Sequence, residues 1–346
     1  MIGVVYRGDR RCSLVEVPQP PLQPDEVLVR VKAAGICGSD LRWYRFTPQQ
    51  LERYSYPAVF AGHETAGVVE ALGEGVRHLA VGQRVAVYHY MGCGTCYHCR
   101  SGDIHYCPNA KAMSWHIHGG IADVVLAKAS SCVPLPDSRS FEEGSLLMCA
   151  AGTAHTAMKY SAPTAQDFAV VHGLGPVGLL ITLYLRALGS RTVGVDINAY
   201  RRTLAKQLGA DEVIDPASAD VAGALADLTR GAGVDVSFEC TGQPGPRQLC
   251  TKTARKRGRV CMVGISHEVF DGAPPAISGE DVIVKELTLR GVNIFPLPGY
   301  WETVEFLSRR GLKADAIVTH RFPLNRAAEA FRIADSGECG KVVVEA

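Results

Sequence analysis

The sequence predicts an α/β protein of two domains, a β-rich domain and a doubly wound parallel sheet. Short alternating strands with frequent Gly and Pro predominate up to about residue 150. From about residue 166, strands alternate with helical stretches, a pattern typical of a parallel sheet with helices on both faces. A length of 346 residues also suits two domains better than one.

The N-terminal part of the chain shows the alternation of half-buried strands. A strand-like pattern begins at the first residues, and further strands are predicted at 27–33, 67–73 and 84–88. Four prolines between residues 18 and 24 interrupt this pattern. We therefore expect a domain of short strands joined by turns.

The second part of the chain is predicted as alternating strands and helices. The strands are expected at 168–172, 192–196, 211–215, 234–239, 259–264 and 287–292, and the helices at 177–188 and 199–208. The last fifty or so residues return to a mixed pattern, with helices at 301–309 and 326–334 and a closing strand at 341–345.

The bulk composition excludes several classes of protein. With 36 Lys and Arg against 35 Asp and Glu, it gives no electrostatic reason to expect nucleic acid or an anionic membrane as a partner. The apolar stretch 177–188 is too short to span a bilayer, and the N-terminus lacks the pattern of a signal peptide. Twelve cysteines in such a chain favour a reducing compartment. We expect a cytoplasmic protein.

Four cysteines lie close together, at Cys93, Cys96, Cys99 and Cys107. Four thiolates in one loop complete a tetrahedral zinc shell without an open position, which is typical of a structural site. The alternatives are unrelated thiols or two disulfides, but the two-residue gaps would strain a disulfide. We expect a structural zinc.

A glycine motif, Gly173-Leu-Gly-Pro-Val-Gly, follows an apolar strand and opens an apolar helix. Gly173 permits a tight turn, Gly175 lets the backbone approach a pyrophosphate, and Gly178 permits close helix–strand packing. Pro176 and Val177 complete the motif. The alternative is a glycine turn without a ligand, but the strand–turn–helix context favours a dinucleotide site.

Asp196 ends the next predicted strand, 23 residues after Gly173. A carboxylate there accepts hydrogen bonds from both hydroxyls of an adenosine ribose and repels a 2′-phosphate. The sequence therefore favours NAD over NADP. Arg201 and Arg202 follow closely and weaken this preference, and we include Arg201 among the predicted cofactor-binding residues.

A second set of metal-ligand residues is spread along the chain at Cys37, His63 and Cys149. Two thiolates and an imidazole are the three protein ligands of one kind of catalytic zinc, which keeps a fourth position open. Taken singly, each cysteine could equally be a small buried apolar residue rather than a ligand, and His63 could be an ordinary structural histidine. The set as a whole favours a catalytic metal.

From about residue 25 to its end, the chain resembles the zinc-dependent medium-chain alcohol and polyol dehydrogenases. The motifs that carry the resemblance are Cys37-Gly-Ser-Asp, Gly62-His-Glu-Thr-Ala-Gly, the cysteine quartet, Cys149 with Thr153, and the glycine motif. It implies a GroES-like catalytic domain at 1–151 and 296–346, a Rossmann NAD-binding domain at 152–295, and an active site in the cleft between them.

The resemblance also implies roles for individual residues. Cys37, His63 and Cys149 become the ligands of the catalytic zinc, and Glu64 approaches or transiently binds the same metal. Asp40 would orient His63.

The same resemblance places two hydroxyl groups near the chemistry. Ser39 would contact the substrate hydroxyl and begin a proton relay, and Thr153 would lie beside the nicotinamide. In the family, the relay commonly ends at a histidine that corresponds to Arg42 here. Arginine stays protonated and is no base, so the end of the relay is unassigned.

The substrate pocket is predicted from the same family positions at His89, Trp115, His116, His118 and Asn293. Polar groups there suit a hydroxylated substrate better than a plain alkyl alcohol. The alternative is that these histidines are exposed loop residues. We expect a small secondary alcohol or polyol as substrate, with zinc and NAD as cofactors.

Three other functions remain open at this point. An L-threonine 3-dehydrogenase-like amino-alcohol dehydrogenase would need partners for an amino group and a carboxylate. A non-catalytic sensor that binds zinc and dinucleotide, or a zinc-independent quinone-reductase relative, would be expected to lack a ligand or the Ser39 hydroxyl.

The segment 282–295 resembles the sheet edge that pairs across a two-fold axis in the family, which implies a homodimer or homotetramer.

Overall fold

The computed structural model describes residues 1–54, 58–265 and 277–346 and contains two compact units. The first unit comprises Met1–Gly152 and Phe295–Ala346, and the second comprises Thr153–Ile294. In these described ranges, no helix combines the length and the apolar character that crossing a membrane requires.

The first unit is built mainly of strands. They are β1 Ile2–Gly8, β2 Arg11–Glu16, β3 Glu26–Gly35, β4 Glu64–Leu72, β5 Arg84–Val87, β6 Tyr90–Met91, β7 Lys111–Ala112, β8 Val124–Lys128, β9 Cys132–Pro134, and, after the second unit, β16 Val318–Pro323 and β17 Lys341–Glu345. Its helices are α1 Gly38–Arg45, α2 Pro48–Arg53, α3 Tyr97–Arg100, α4 Phe141–Leu147, α11 Gly299–Arg309 and α12 Ala327–Ser336, and α5 Ala150–Ser161 leads into the second unit.

Strand β3 is the centre of the main sheet of this unit. It pairs with β4, β8 and β17, and the described strands follow one another in the order β16-β17-β3-β4-β5-β9. The alternation along β3 buries Val27, Val29 and Val31 completely in an apolar core that extends through the first unit. Burying each such side chain contributes roughly 1.5–3 kcal/mol.

The C-terminal end of β3 lies between the beginnings of two other strands. Gly35 is paired with Glu64 of β4 on one side and with Val343 of β17 on the other. Ile36 then donates its N–H to the carbonyl of Val342. This register brings residues from three distant parts of the chain into one corner of the sheet.

The second unit alternates strands and helices. Its strands are β10 Phe168–His172, β11 Arg191–Val195, β12 Glu212–Ile214, β13 Val234–Glu239, β14 Ala254–Met262 and β15 Thr288–Gly291. Its helices after α5 are α6 Pro176–Leu188, α7 Ala199–Gln207, α8 Val221–Leu228, α9 Pro244–Thr253 and α10 Gly279–Val284.

The strands described in this unit form one parallel sheet in the order β12-β11-β10-β13-β14-β15. This is the order of a Rossmann sheet, which reverses its direction of growth between β10 and β13. Buried Val170, Val193 and Val234 belong to the apolar cluster on one face. The predicted α/β fold class is therefore confirmed.

The predicted strands and helices are present, with small differences at their ends. The largest difference is in β14, which begins at residue 254 rather than 259. Helix α1 has no counterpart in the prediction. It begins directly after Cys37, and Asp40 caps it by accepting the N–H of Cys37 at 2.8 Å through Oδ2.

The two points at which the chain leaves and re-enters the first unit lie side by side. A Cβ at Gly152 would stand 2.5 Å from the ring of Phe295, so only glycine fits at the point of exit. Phe295 is fully buried, and its carbonyl accepts the hydroxyl of Tyr88 at 2.7 Å.

A buried ion pair fastens the returning helix α11 to α4. Arg139 donates to Glu143 Oε1 at 2.7 Å, to the Ser308 hydroxyl at 2.6 Å and to the Leu312 carbonyl at 2.9 Å. Glu143 is fully buried and Arg139 nearly so. The guanidinium therefore supplies hydrogen bonds that no solvent could replace.

We predict that Arg139→Met lowers the free energy of unfolding by about 3 kcal/mol, because it leaves a buried carboxylate without its charge partner. The matched control is Arg326→Met, which breaks the exposed pair with Glu329 and should cost less than about 1 kcal/mol. Urea titration followed by circular dichroism measures both. Equal losses would contradict the structural role of Arg139.

Candidate active site

Four potential metal ligands converge in the first unit. The ligand atoms of Cys37, His63, Glu64 and Cys149 all lie within 4.8 Å of one another. The two sulfurs are 4.0 Å apart. A tetrahedral zinc with Zn–S bonds of about 2.3 Å separates two thiolates by about 3.8 Å. The cluster therefore has both the donor types and the sulfur spacing that a zinc ion requires.

Each ligand lies at the end of a regular element. Cys37 directly precedes α1, His63 directly precedes β4, and Cys149 directly precedes α5. Gly62 fixes the approach to His63, because its φ of +83° disfavours other residues and a Cβ there would collide with Ile121. Strand and helix ends thus hold the three side chains on a rigid frame.

Asp40 connects the helix cap to the imidazole. Besides capping α1, its Oδ1 lies 3.3 Å from His63 Nδ1 and accepts the Tyr6 hydroxyl at 3.2 Å. Asp40 is fully buried and His63 is 2% exposed. A carboxylate at Nδ1 favours a proton on that nitrogen and leaves Nε2 as a lone-pair donor.

The three ligand side chains shift one another's pKa values. The hydrogen bond from Cys149 outweighs burial and, together with His63, holds the pKa of Cys37 well below its usual value. The same contact with Cys37, with burial, raises the pKa of Cys149. Burial works against a charged His63, but Asp40 and Cys37 outweigh it and raise its pKa. Of the two thiols, Cys37 is therefore the one whose surroundings favour the thiolate form that a metal binds.

Glu64 has a cationic partner that the sequence analysis did not predict. Lys341 is 1% exposed, and its Nζ lies 2.7 Å from each carboxylate oxygen of Glu64. Burial raises the pKa of Glu64 to about 7, although the Lys341 ammonium opposes this shift. A sequence signal did exist, since Lys341 is a cation directly before the three buried valines of strand β17.

Two of the predicted pocket residues lie against the metal ligands. The rings of His89 and Trp115 have centroids 4.7 Å and 5.0 Å from that of His63. His89 is 3% exposed, and its Nδ1 has no hydrogen-bond partner among the described residues. Burial and the neighbouring charge of His63 hold the pKa of His89 well below its usual value, so it is a neutral imidazole.

The two other predicted histidines are held by the backbone. His116 is exposed, and its Nδ1 accepts the N–H of Ala112 at 3.0 Å. The Nδ1 of His118 accepts the N–H of Phe60 at 3.1 Å, and the two rings are 4.3 Å apart. These contacts orient both rings, and their assignment to the substrate pocket stays a prediction.

The remaining predicted residues lie as follows. Ser39 is half-buried in the first turn of α1, and Arg42 lies one turn further, where burial lowers its pKa. Thr153 is buried in the first turn of α5, and Asn293 is exposed just after β15, both in the second unit.

The cysteine quartet forms a second candidate metal site in the first unit. The sulfurs of Cys93, Cys96, Cys99 and Cys107 lie within 4.8 Å of one another, and those of Cys93 and Cys99 are 3.9 Å apart. Hydrogen bonds from Thr95 and from the N–H of Cys96 lower the pKa of Cys93 to about 5. All twelve cysteines of the chain lie in the described ranges as free thiols, so the quartet is not two disulfides.

The glycine motif has the geometry expected of a dinucleotide-binding turn. Gly173 has φ +88°, and a Cβ at Gly178 would collide with the Gly173 carbonyl. Among the described residues, no atom lies within 4 Å of a Cβ position at Gly175, which precedes Pro176 at the start of the 13-residue helix α6. The helix N-terminus is therefore open to an anion.

Asp196 is tied to this turn. Its Oδ2 accepts the N–H of Leu174 at 2.6 Å, and its Oδ1 accepts that of Asn198 at 2.8 Å. A carboxylate has about four acceptor sites, so two remain for a ligand. Arg202 forms an ion pair with Asp215 at 2.8 Å and donates to the backbone carbonyl of Asp196 at 2.8 Å.

Comparisons with known proteins agree with both units. Residues 23–137 match the alcohol dehydrogenase GroES-like domain, and residues 176–309 match the zinc-binding dehydrogenase domain. The chain is 32% identical to the zinc-type alcohol dehydrogenase-like protein YphC of Escherichia coli K12, over 99% of this chain and 98% of that protein. The chain belongs to the zinc-type alcohol dehydrogenase family. Members of this medium-chain family are zinc-dependent oxidoreductases, and the predicted resemblance is confirmed.

Other members differ in substrate and cofactor. An L-threonine 3-dehydrogenase of Pyrococcus horikoshii is 34% identical over 96% of this chain and 94% of its own length. Among solved structures, the 2R,3R-butanediol dehydrogenase of Bacillus subtilis aligns with a TM-score of 0.86 at 28% identity, over 100% of this chain and 99% of that one.

Two further solved members carry different nucleotides. A zinc-binding dehydrogenase of Sinorhizobium meliloti bound to NADP aligns at 27% identity, and an E. coli CFT073 alcohol dehydrogenase complexed with NADH at 25%. Both have TM-scores of 0.87, over 100% of this chain and 99% of theirs.

We predict that Asp40→Asn lowers the zinc affinity of the Cys37 cluster by about 10- to 100-fold, because the amide no longer fixes the tautomer and orientation of His63. Competition with a chromophoric chelator measures this affinity. Tyr6→Phe removes only a hydroxyl bonded to the same carboxylate and should have a much smaller effect. A similar loss in both variants would show that the whole corner of the sheet had been disturbed.

Proposed function

We propose that this family member oxidises a small secondary alcohol or polyol to the ketone with NAD, in a reversible reaction. The observation that carries the proposal is the cluster of Cys37, His63 and Cys149 beside the unpartnered nitrogen of His89. Three protein ligands leave a position for substrate, and a buried polar group next to it provides selectivity.

The residues divide the chemistry among themselves. When bound, zinc supplies Lewis acidity and the nicotinamide accepts the hydride. Cys37, His63 and Cys149 hold the metal, and Asp40 orients His63. Ser39 accepts the proton of the substrate hydroxyl as its own hydroxyl proton passes on towards solvent.

The second unit orients the cofactor. Gly175 and the N-terminus of α6 receive the pyrophosphate, while Asp196 receives the ribose hydroxyls. Val177 and Arg201 belong to the same binding site, and Thr153 contacts the nicotinamide.

His89 favours a substrate with a second polar group. No described residue hydrogen-bonds its buried Nδ1, and a buried polar atom in that state costs roughly 1–3 kcal/mol. A hydroxyl group of a diol or polyol would satisfy it, whereas an alkyl chain would not. The ring of Trp115 lies against the ring of His63 and supplies an apolar surface there. The similarity to the butanediol dehydrogenase supports this substrate class.

The alternative is an amino alcohol of the L-threonine type. It is favoured by relatives of that activity at up to 34% identity over most of the chain. Such a substrate needs partners for an ammonium and a carboxylate group. The neutral His89 supplies neither charge, so we place this function second.

The cysteine quartet is proposed to bind a second, structural zinc. It offers four thiol groups and no open position, so it would hold its loop without taking part in catalysis. The proposed domain assignment is a GroES-like catalytic domain at 1–151 and 296–346 and an NAD-binding domain at 152–295.

We further propose a homodimer formed through β15. Its four residues are exposed, as are Ile283 and Val284 close by in the chain. An open strand edge with apolar neighbours suits pairing with a second copy. A tetramer is the alternative, and light scattering distinguishes the two.

We expect the zinc-replete protein to reduce NAD with at least one member of a panel of polyols, secondary alcohols and 3-hydroxy amino acids. Absorbance at about 340 nm follows the reaction. The activity should vanish on chelation and return with zinc. A preference for the hydroxy amino acids would favour the alternative function, and inactivity in zinc-replete, NAD-binding protein would favour a non-catalytic sensor.

The metal content should be about two zinc ions per chain, since each cluster offers a complete donor set. Cys37→Ser should remove one zinc and the activity, whereas Cys107→Ser should remove the other zinc and reduce chiefly stability. Elemental analysis of the purified variants measures both. A single zinc in the unaltered protein, lost only in Cys107→Ser, would overturn the assignment of the catalytic ligands.

Asp196→Ser should shift the ratio of kcat/KM for NADP over NAD upward by about 10- to 100-fold, because it removes a charge that repels the 2′-phosphate. Asp215→Asn releases Arg202 from its ion pair but leaves the Asp196 carboxylate in place, so it should shift the ratio in the same direction by a smaller factor. An unchanged ratio in Asp196→Ser would exclude Asp196 as the discriminating residue.

A further inference from the structure

A buried ion pair lies directly against the candidate catalytic metal site. Glu64 is fully buried, Lys341 is 1% exposed, and Nζ is 2.7 Å from both carboxylate oxygens. The pair joins the first residue of β4 to the first residue of β17, 277 positions apart. Burying two charges is costly, so a purely structural contact would be served equally well by apolar residues.

The fold reserves space for this pair. Gly35 lies opposite Glu64 in the sheet and next to β17. A Cβ at Gly35 would stand 2.5 Å from Glu64 Oε2 and 2.8 Å from Lys341 Cε. Any other residue at position 35 would displace the carboxylate, the ammonium or both.

The Glu64 carboxylate has two competing partners, a metal ion at the cluster and the Lys341 ammonium group. Glu64 directly follows the ligand His63, and one of its oxygens lies within 4.8 Å of the ligand atoms of Cys37, His63 and Cys149. A divalent cation held by those three would attract it as a fourth ligand and close the position that a substrate needs. Lys341 carries the opposite charge, and its ammonium group lies against both oxygens of this carboxylate.

We propose that Lys341 is a positioning residue that holds the Glu64 carboxylate off the metal and so keeps the fourth coordination position open to substrate. This inference rests on the proposed function, because it requires a metal at Cys37, His63 and Cys149. Lys341 itself contacts neither substrate nor metal. Its effect on the fourth coordination position passes through Glu64.

The test uses Co²⁺ in place of zinc, because the visible absorption of cobalt reports its ligands independently of turnover. In the unaltered protein, adding a polyol or a competing anion should change the cobalt spectrum. In Lys341→Met, Glu64 should occupy the open position. The spectrum should then no longer respond to these additions, and kcat/KM should fall by about 10- to 100-fold.

The decisive variant is the double substitution Lys341→Met with Glu64→Gln. Without the carboxylate, the position should reopen, and the cobalt spectrum should respond to added ligand again. Lys341→Arg keeps the charge and should resemble the unaltered protein. Lys32→Met, at an exposed lysine of β3, is the matched control and should change nothing. A double variant as unresponsive as Lys341→Met would overturn the proposal.

A second variant keeps the proposal testable if Lys341→Met does not fold. Glu64→Gln alone should keep the cobalt spectrum of the unaltered protein, because Glu64 is not a ligand while Lys341 holds it. A changed spectrum in this variant would show that Glu64 already binds the metal and would overturn the inference. If the unaltered protein takes up cobalt only at the cysteine quartet, the proposed function fails first.

Discussion

The pairing of β3 with β4 on one side and β17 on the other is the constraint on which the candidate active site depends. Gly35 is the shared residue of both pairings. A shift of one residue in either register would turn alternate side chains to the opposite face of the sheet. The metal ligands, the helix that follows Cys37 and the C-terminal strand are therefore positioned by one set of backbone hydrogen bonds.

The electrostatics of this corner follow from burial. Asp40, His63, Glu64 and Lys341 are all 2% exposed or less, so each charge must be balanced by a neighbour rather than by water. Asp40 balances His63, and Lys341 balances Glu64. The two thiols are then the groups left to balance a divalent cation. A site arranged in this way has a strong preference for a metal before any substrate arrives.

The extent to which the site could be predicted depends on the distance in sequence between its parts. The glycine motif and the cysteine quartet are local, so spacing alone indicated their geometry. Cys37, His63 and Cys149 are far apart, so their residue types and the family resemblance grouped them without support from a local spacing. The contact between Glu64 and Lys341 depends on the pairing of three strands, which no local pattern encodes. The ring orientations of His116 and His118 could not be predicted from the sequence either, because hydrogen bonds from the backbone N–H groups of Ala112 and Phe60 determine them.

The adjacency of Gly152 and Phe295 makes the nucleotide-binding unit an insertion at a single point of the other unit. Both candidate metal clusters lie in the receiving unit, whose chain needs only a short bridge to close once the insertion is removed. In such an architecture, the inserted unit can be replaced during evolution without a change in the chain path of the receiving unit. It also means that a linear chain in which residues 1–152 are joined directly to residues 295–346 would retain every metal ligand discussed above.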